Sequence, residues 1–140
     1  MFKQITHDFN AKYQKIFQHF FYQWVFSEKL TAEQIMDEFF TDDFTAIIDG
    51  NLLTRQDFLR RIGKMRAETL IEQQEFLQMM EQENKLFSMH TVKGKMLADD
   101  SDFETRAIAY FEFRDDKLHQ GYLNSATAGK LHSHDIASRC

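Results

Sequence analysis

The hydrophobic period of this chain changes once, near residue 68, and that change decides what it can fold into. Before it, apolar residues recur at helical spacings of three and four. After it, they alternate with a period of two. Residues 6–27 read as a long first helix, in which Phe9, Tyr13, Ile16, Phe20 and Trp24 form one stripe. Phe17, Phe21 and Val25 widen the stripe, so this helix packs on two sides. Thr31 with Gln34 makes a capping box for a second helix, whose buried side is Ile35, Met36, Phe39 and Phe40. "FTAIID" (44–49) is a strand that ends at a turn on Gly50. Thr54 with Asp57 then opens a third helix, with Phe58, Ile62 and Met65 on its inner face. Beyond the change, strands are expected at 71–82, 85–97, 104–114 and 117–127, joined by the turns "QEN", "ADDSD" and "RDD". These connections are too short for crossover helices, so the strands pair antiparallel.

Three helices in the N-terminal half followed by long antiparallel strands predict an α+β fold, with the helices on one face of a strongly curved sheet. A sheet curled around aromatic helices leaves a cavity open at one end, where small ligands bind. A chain of 140 residues suits a single domain that buries roughly two-thirds of its surface. Fifteen Phe, four Tyr and one Trp mean that rings fill the interior. The net charge of −5 and the lack of a basic run argue against nucleic acid or an anionic membrane as partner. The opening residues carry no signal-like apolar region, and the single cysteine, Cys140, has no partner. Both point to a reducing cytoplasm.

Four segments in this order resemble the nuclear-transport-factor-2-like superfamily, and within it the SnoaL-like proteins. They are "FFTDDF" (39–44), "GNLLTRQDFLRRI" (50–62), "NKLFSMHTVKG" (84–94) and "AIAYFEFRDDKLHQGYL" (107–123). In the last, Asp115-Asp116-Lys117-Leu118 stands where the family has an Asp-Gly-Lys-Ile turn. The resemblance covers roughly residues 8–129. It implies a cone-shaped domain over 1–129, homodimerisation through the outer sheet face, and a pocket between sheet and helices. The fold alone names no reaction, since relatives include ketosteroid isomerases, polyketide cyclases, epoxide hydrolases, dehydratases and modules that only bind.

His90 is the leading catalytic candidate. It shares a strand face with Leu86, Ser88 and Val92, and a neutral imidazole can move a proton or polarise a carbonyl. Asp49 is the second. It ends the first strand near the place where the resemblance puts an isomerase base, although the aligned residue is Ile48 and Asp-Gly is also a strong turn pair. Where the isomerases place a protonated acid, this chain has Ala109. The expected ligand pocket adds Trp24, Phe20, Ser88, Tyr110, Tyr122 and Asn124. Such a site suits an apolar, carbonyl-bearing small molecule handled without a cofactor or metal, either in acid–base turnover or in binding alone.

Strand 104–114 is apolar on both sides, with Ala107, Ala109, Phe111 and Phe113 opposite Ile108 and Tyr110. One face is expected to line the cavity and the other a dimer interface. "RRIGKMR" (60–66) reads as a solvated helix face. "HSHD" (132–135) lacks the apolar pattern that would anchor a metal site, and residues 130–140 read as a tail.

Overall fold

The computed structural model describes residues 3–5 and 7–129 of the chain. The predicted tail and its histidines lie outside the described residues. The element order is β1 (Lys3–Ile5), α1 (Lys12–Val25), α2 (Ala32–Phe39), β2 (Phe40–Ile48), β3 (Asn51–Thr54), α3 (Arg55–Glu68), β4 (Thr69–Gln82), β5 (Lys85–Met96), β6 (Asp102–Arg114) and β7 (Lys117–Gly129). The seven strands form one sheet in the order β1-β4-β5-β6-β7-β2-β3. Its central pairs β4–β5, β5–β6 and β6–β7 are antiparallel, whereas β1–β4 and β2–β7 are parallel. This is the expected α+β architecture, with the helices on the inner face of a curled, mainly antiparallel sheet. Among the described residues no helix is long and apolar enough to cross a membrane.

Two helix starts follow directly from local chemistry. The Gln34 N–H donates to Thr31 Oγ1 at 3.1 Å and the Asp57 N–H to Thr54 Oγ1 at 3.2 Å, so each hydroxyl satisfies a donor that the first turn leaves free. The first helix is different. It starts at Lys12, not at residue 6, because Lys3–Ile5 leave to pair with β4 and the residue before the helix is Ala11. Alanine has no side-chain acceptor, and the cap comes from across the fold. Glu81 Oε1, on β4, accepts the N–H groups of Tyr13 and Gln14 at 3.0 Å each. A carboxylate there also faces the positive end of the helix dipole.

The inner face is built from rings. Phe17 lies 5.1 Å from Phe111, 5.2 Å from Phe21 and 5.9 Å from Phe76, measured between ring centroids. Phe20 stacks on Trp24 at 5.4 Å, and Phe40, Phe44 and Phe58 continue the cluster under α3. Truncating any one of these buried rings to Ala costs about 3–5 kcal/mol. On β6 the buried face is Ala107, Ala109, Phe111 and Phe113, which settles which side of that strand is inner.

Irregularities in β4 bend the sheet over the helices. The β4–β5 register shifts between Ile71 and Gln73 and again between Phe76 and Gln78. At the first shift the strands come so close that a Cβ on Gly94 would lie 2.2 Å from the Leu70 carbonyl oxygen. Only glycine fits there.

Candidate functional site

His90 sits on the inner face of β5 and is 2% exposed. The ring is enclosed by Phe21 at 4.9 Å and by Phe17 and Phe76 at 5.9 Å each, and its Nδ1 lies 3.1 Å from Ser88 Oγ. Strand alternation puts Ser88 and His90 on one side, so the partner is two residues away in sequence. Burial among rings pulls the His90 pKa from 6.5 down to about 4. The imidazole is therefore neutral near pH 7 and held as a core residue.

The pocket expected around it is not a single site. Ser88 and Phe20 are sealed in the same core. Tyr110, Tyr122 and Asn124 lie on the other side of the sheet and are exposed, with the Tyr110 hydroxyl donating to Glu112 Oε1 at 3.1 Å. The reason is register: His90 pairs with Ala107, so the inward residues of β6 are the odd-numbered ones from 103 to 113, and Arg106, Ile108 and Tyr110 face the other way. Tyr110 pairs with Tyr122 and Ile108 with Asn124, which places all four outside. Asp49 is also corrected. It holds a left-handed turn position (φ 49°) before Gly50 (φ 85°), and its carboxylate accepts the Ser125 N–H and Oγ–H at 2.8 Å each. It fastens the β2–β3 turn to β7, while the preceding Ile48 is buried. No bulge interrupts β2 between Thr45 and Ile48 to turn Asp49 inward.

Trp24 leads to a different place. Together with Val25, Phe26 and Leu30 it forms one wall of an open cleft of about 570 Å³, opposite Met65, Arg66, Thr69, Leu70, Ile71 and Leu97. The cleft lies where α1 ends, α3 ends and β4 begins. The β4 bulge supported by Gly94 shapes the Leu70–Ile71 side. Trp24 is 2% exposed, and its Nε1–H has no acceptor among the described residues. Leaving a buried donor unmatched costs about 1–3 kcal/mol.

Arg66 fixes the geometry of this cleft. Its Nε donates to the Trp24 carbonyl at 3.0 Å, Nη1 to Leu30 at 2.8 Å, and Nη2 to Gln23 at 2.8 Å and Ser27 at 3.4 Å. One guanidinium thereby ties the last turn of α1 and the α1–α2 connection to α3. Partial burial lowers its pKa from the ordinary value, yet arginine remains charged at any pH the fold survives. The expected solvated face at 60–66 needs the same correction, since Arg61 is buried and Arg66 lines the cleft, while Arg60 and Lys64 face water. The signal was its spacing: Arg66 follows Ile62 by four residues and so falls in phase with the buried side of α3. Among the described residues, no three His, Cys, Asp or Glu side chains are grouped to hold a metal ion.

No family model matches the sequence, and no curated protein matches it. Solved structures do. A candidate isomerase of Rhodopseudomonas palustris superposes with a TM-score of 0.69 at 9% identity, over 83% of this chain and 90% of its own. AclR, a candidate hydroxylase of Streptomyces galilaeus, gives 0.66 at 12% identity, over 91% and 96%. Wild-type IdmH, a candidate polyketide cyclase of Streptomyces antibioticus, gives 0.66 at 9%, over 82% and 92%. The fold is the nuclear-transport-factor-2-like cone. In this chain rings close around His90, and an open cleft lies where Trp24 and Arg66 meet.

Proposed function

We propose that this protein binds a small, mostly apolar molecule in the cleft at the end of α1. The carrying observation is the cleft itself, whose lining is mostly apolar and includes Val25, Phe26, Leu30, Met65, Ile71 and Leu97. A volume of about 570 Å³ lies in the range of sites for drug-sized molecules, roughly 300–1,000 Å³. The cyclase and isomerase names of the structural neighbours support a small-molecule role. Proton transfer by His90 is disfavoured, because its immediate neighbours are Ser88 and three phenylalanine rings and provide no second titratable group. Leu70→Arg, on the cleft wall, provides the test. Compounds found by thermal shift should stabilise the wild type and fail to stabilise the variant. Equal shifts in both proteins would remove the cleft from the reading.

A homodimer is favoured by a separate observation. Met80, Phe87, Tyr110, Tyr122, Ile47 and Leu52 stand side by side in register across six strands of the outer face. Leu52 is 68% exposed and Tyr122 50%. An unbroken apolar row of this kind is what two sheets bury when they pack face to face. Light scattering should give twice the monomer mass of 16.7 kDa at micromolar concentration, and Tyr122→Lys should return the monomer. A wild-type monomer would refute the proposal. The lone cysteine adds a cytoplasmic home to this reading.

A further inference from the structure

β6 is the fourth of the seven strands, so it runs down the middle of the sheet. Its outward side chains, in chain order, are Glu104, Arg106, Ile108, Tyr110, Glu112 and Arg114. The order is negative, positive, apolar, apolar, negative, positive. Ile108 is 51% exposed and Tyr110 37%, so neither is covered within one chain. The Arg106 guanidinium is loosely held: its side chain is 76% exposed, and its ion pair with Glu104 spans 3.9 Å. On the other side of the apolar pair, Glu112 borders an outer-face depression of about 250 Å³ walled by Ile47, Leu52, Tyr110 and Tyr122. Its hydrogen-bond partner there is a neutral one, the Tyr110 hydroxyl at 3.1 Å.

We infer that a second copy packs on this face about a two-fold axis that crosses β6 between Ile108 and Tyr110, at right angles to the strands. Arg106 of each chain then enters the other's depression and pairs with Glu112. This rests on the dimer reading above and gives it one register. The axis sets Ile108 against the partner's Tyr110, Arg106 against the partner's Glu112 and Glu104 against the partner's Arg114, and each contact occurs twice. On β5 it sets Phe87 against the partner's Met89 and Lys85 against the partner's Thr91, and on β7 Tyr122 against the partner's Asn124. No like charges meet on these three strands. Arg114 already pairs with Asp43 at 2.6 Å, so Arg106 and Glu112 carry the register. Each stands three residues from the axis, about 10 Å along the strand. Sheets packed face to face cross at about 30°, which offsets the two positions by about 5 Å, a gap that the long arginine stem spans. The other face-to-face arrangement has its axis along β6. It sets Arg106 against the partner's Arg106 and Glu112 against the partner's Glu112, and like charges opposed in this way destabilise.

The experiment measures the dimer dissociation constant of the full chain by sedimentation velocity at low salt. Arg106→Glu opposes two carboxylates at both ends of the contact, and Glu112→Arg opposes two cations. Each is expected to weaken the dimer at least about tenfold. The double swap, Arg106→Glu with Glu112→Arg, restores both pairs with their signs exchanged and should return the constant to near the wild-type value. Both side chains lie on the outer face, and far-UV circular dichroism checks the fold of each variant. An axis along β6 opposes like charges in the wild type and in each single variant alike, so it predicts no change. Single variants that dimerise as tightly as the wild type therefore overturn the inference and leave the dimer reading standing. A double swap as weak as the single variants does the same. A wild-type monomer overturns both.

Discussion

Acidification titrates His90 in the unfolded chain well before it does so in the folded one, and the resulting loss of stability can be worked out in advance. The folded pKa is about 4 against an ordinary 6.5, because protonation would place a charge among Phe17, Phe21 and Phe76. The sign follows from proton counting. Above pH 6.5 neither state binds the proton, and stability is unaffected. As the pH falls through 6.5 the unfolded state takes up the proton alone, and stability declines until the folded pKa is reached. A difference of about 2.5 units, at about 1.36 kcal/mol per unit, gives a loss of about 3 kcal/mol. The assay is urea unfolding of wild type and His90→Phe at several pH values between about 7.5 and 4. The variant lacks the titrating group, so the difference between the two proteins should change by about 3 kcal/mol across that window. Removing His90 also strands the Ser88 hydroxyl, but that cost does not vary with pH and drops out of the slope. Asp43 and Asp57, whose pKa values Arg114 and the Thr54 backbone hold below the ordinary 3.8, lose their contribution only at lower pH and equally in both proteins. Parallel curves for the two proteins would refute the buried, neutral His90.

Gly94→Ala should destabilise the fold by about 2 kcal/mol or more in urea unfolding, because the added methyl meets the Leu70 carbonyl and the strand must shift. It should also weaken any ligand of the cleft that Leu70 lines. Glu81→Gln should lower stability by about 1 kcal/mol in thermal unfolding, since the cap at the start of α1 loses its charge. Asp115→Gly should raise stability by up to about 1 kcal/mol, since Asp115 and Asp116 both hold left-handed turn positions, at φ 52° and 62°.

The helices and strands that could be read from the sequence are those whose period and caps lie within a few residues of each other. Thr31 with Gln34 and Thr54 with Asp57 place α2 and α3 correctly, and the period of two gives all four long strands. What could not be read depends on residues far apart in the chain. The start of α1 is set by Glu81, and the three residues of β1 are too few to show a period. For the site, the inward direction of His90 follows from alternation, but its enclosure depends on rings supplied by α1 and β4. The cleft escaped notice because its walls come from three stretches, near residues 24–31, 65–71 and 97, none of which carries a motif. Tyr110 and Tyr122 were misplaced because alternation tells which residues share a side but not which side is covered.

The parallel pairing of β2 with β7 also constrains how the chain can be made. Ile48 and Leu123 are register partners, so a strand from the first third of the chain waits for the last strand to supply its neighbour. During synthesis the β2–β3 hairpin emerges early and has no sheet to join until β7 follows. Phe44, Ala46 and Ile48, all buried in the finished fold, remain open to water or to other chains for that interval. Long-range pairing of this kind slows folding. It also means that a chain stopped before residue 117 loses the strand that joins β2 and β3 to the rest of the sheet.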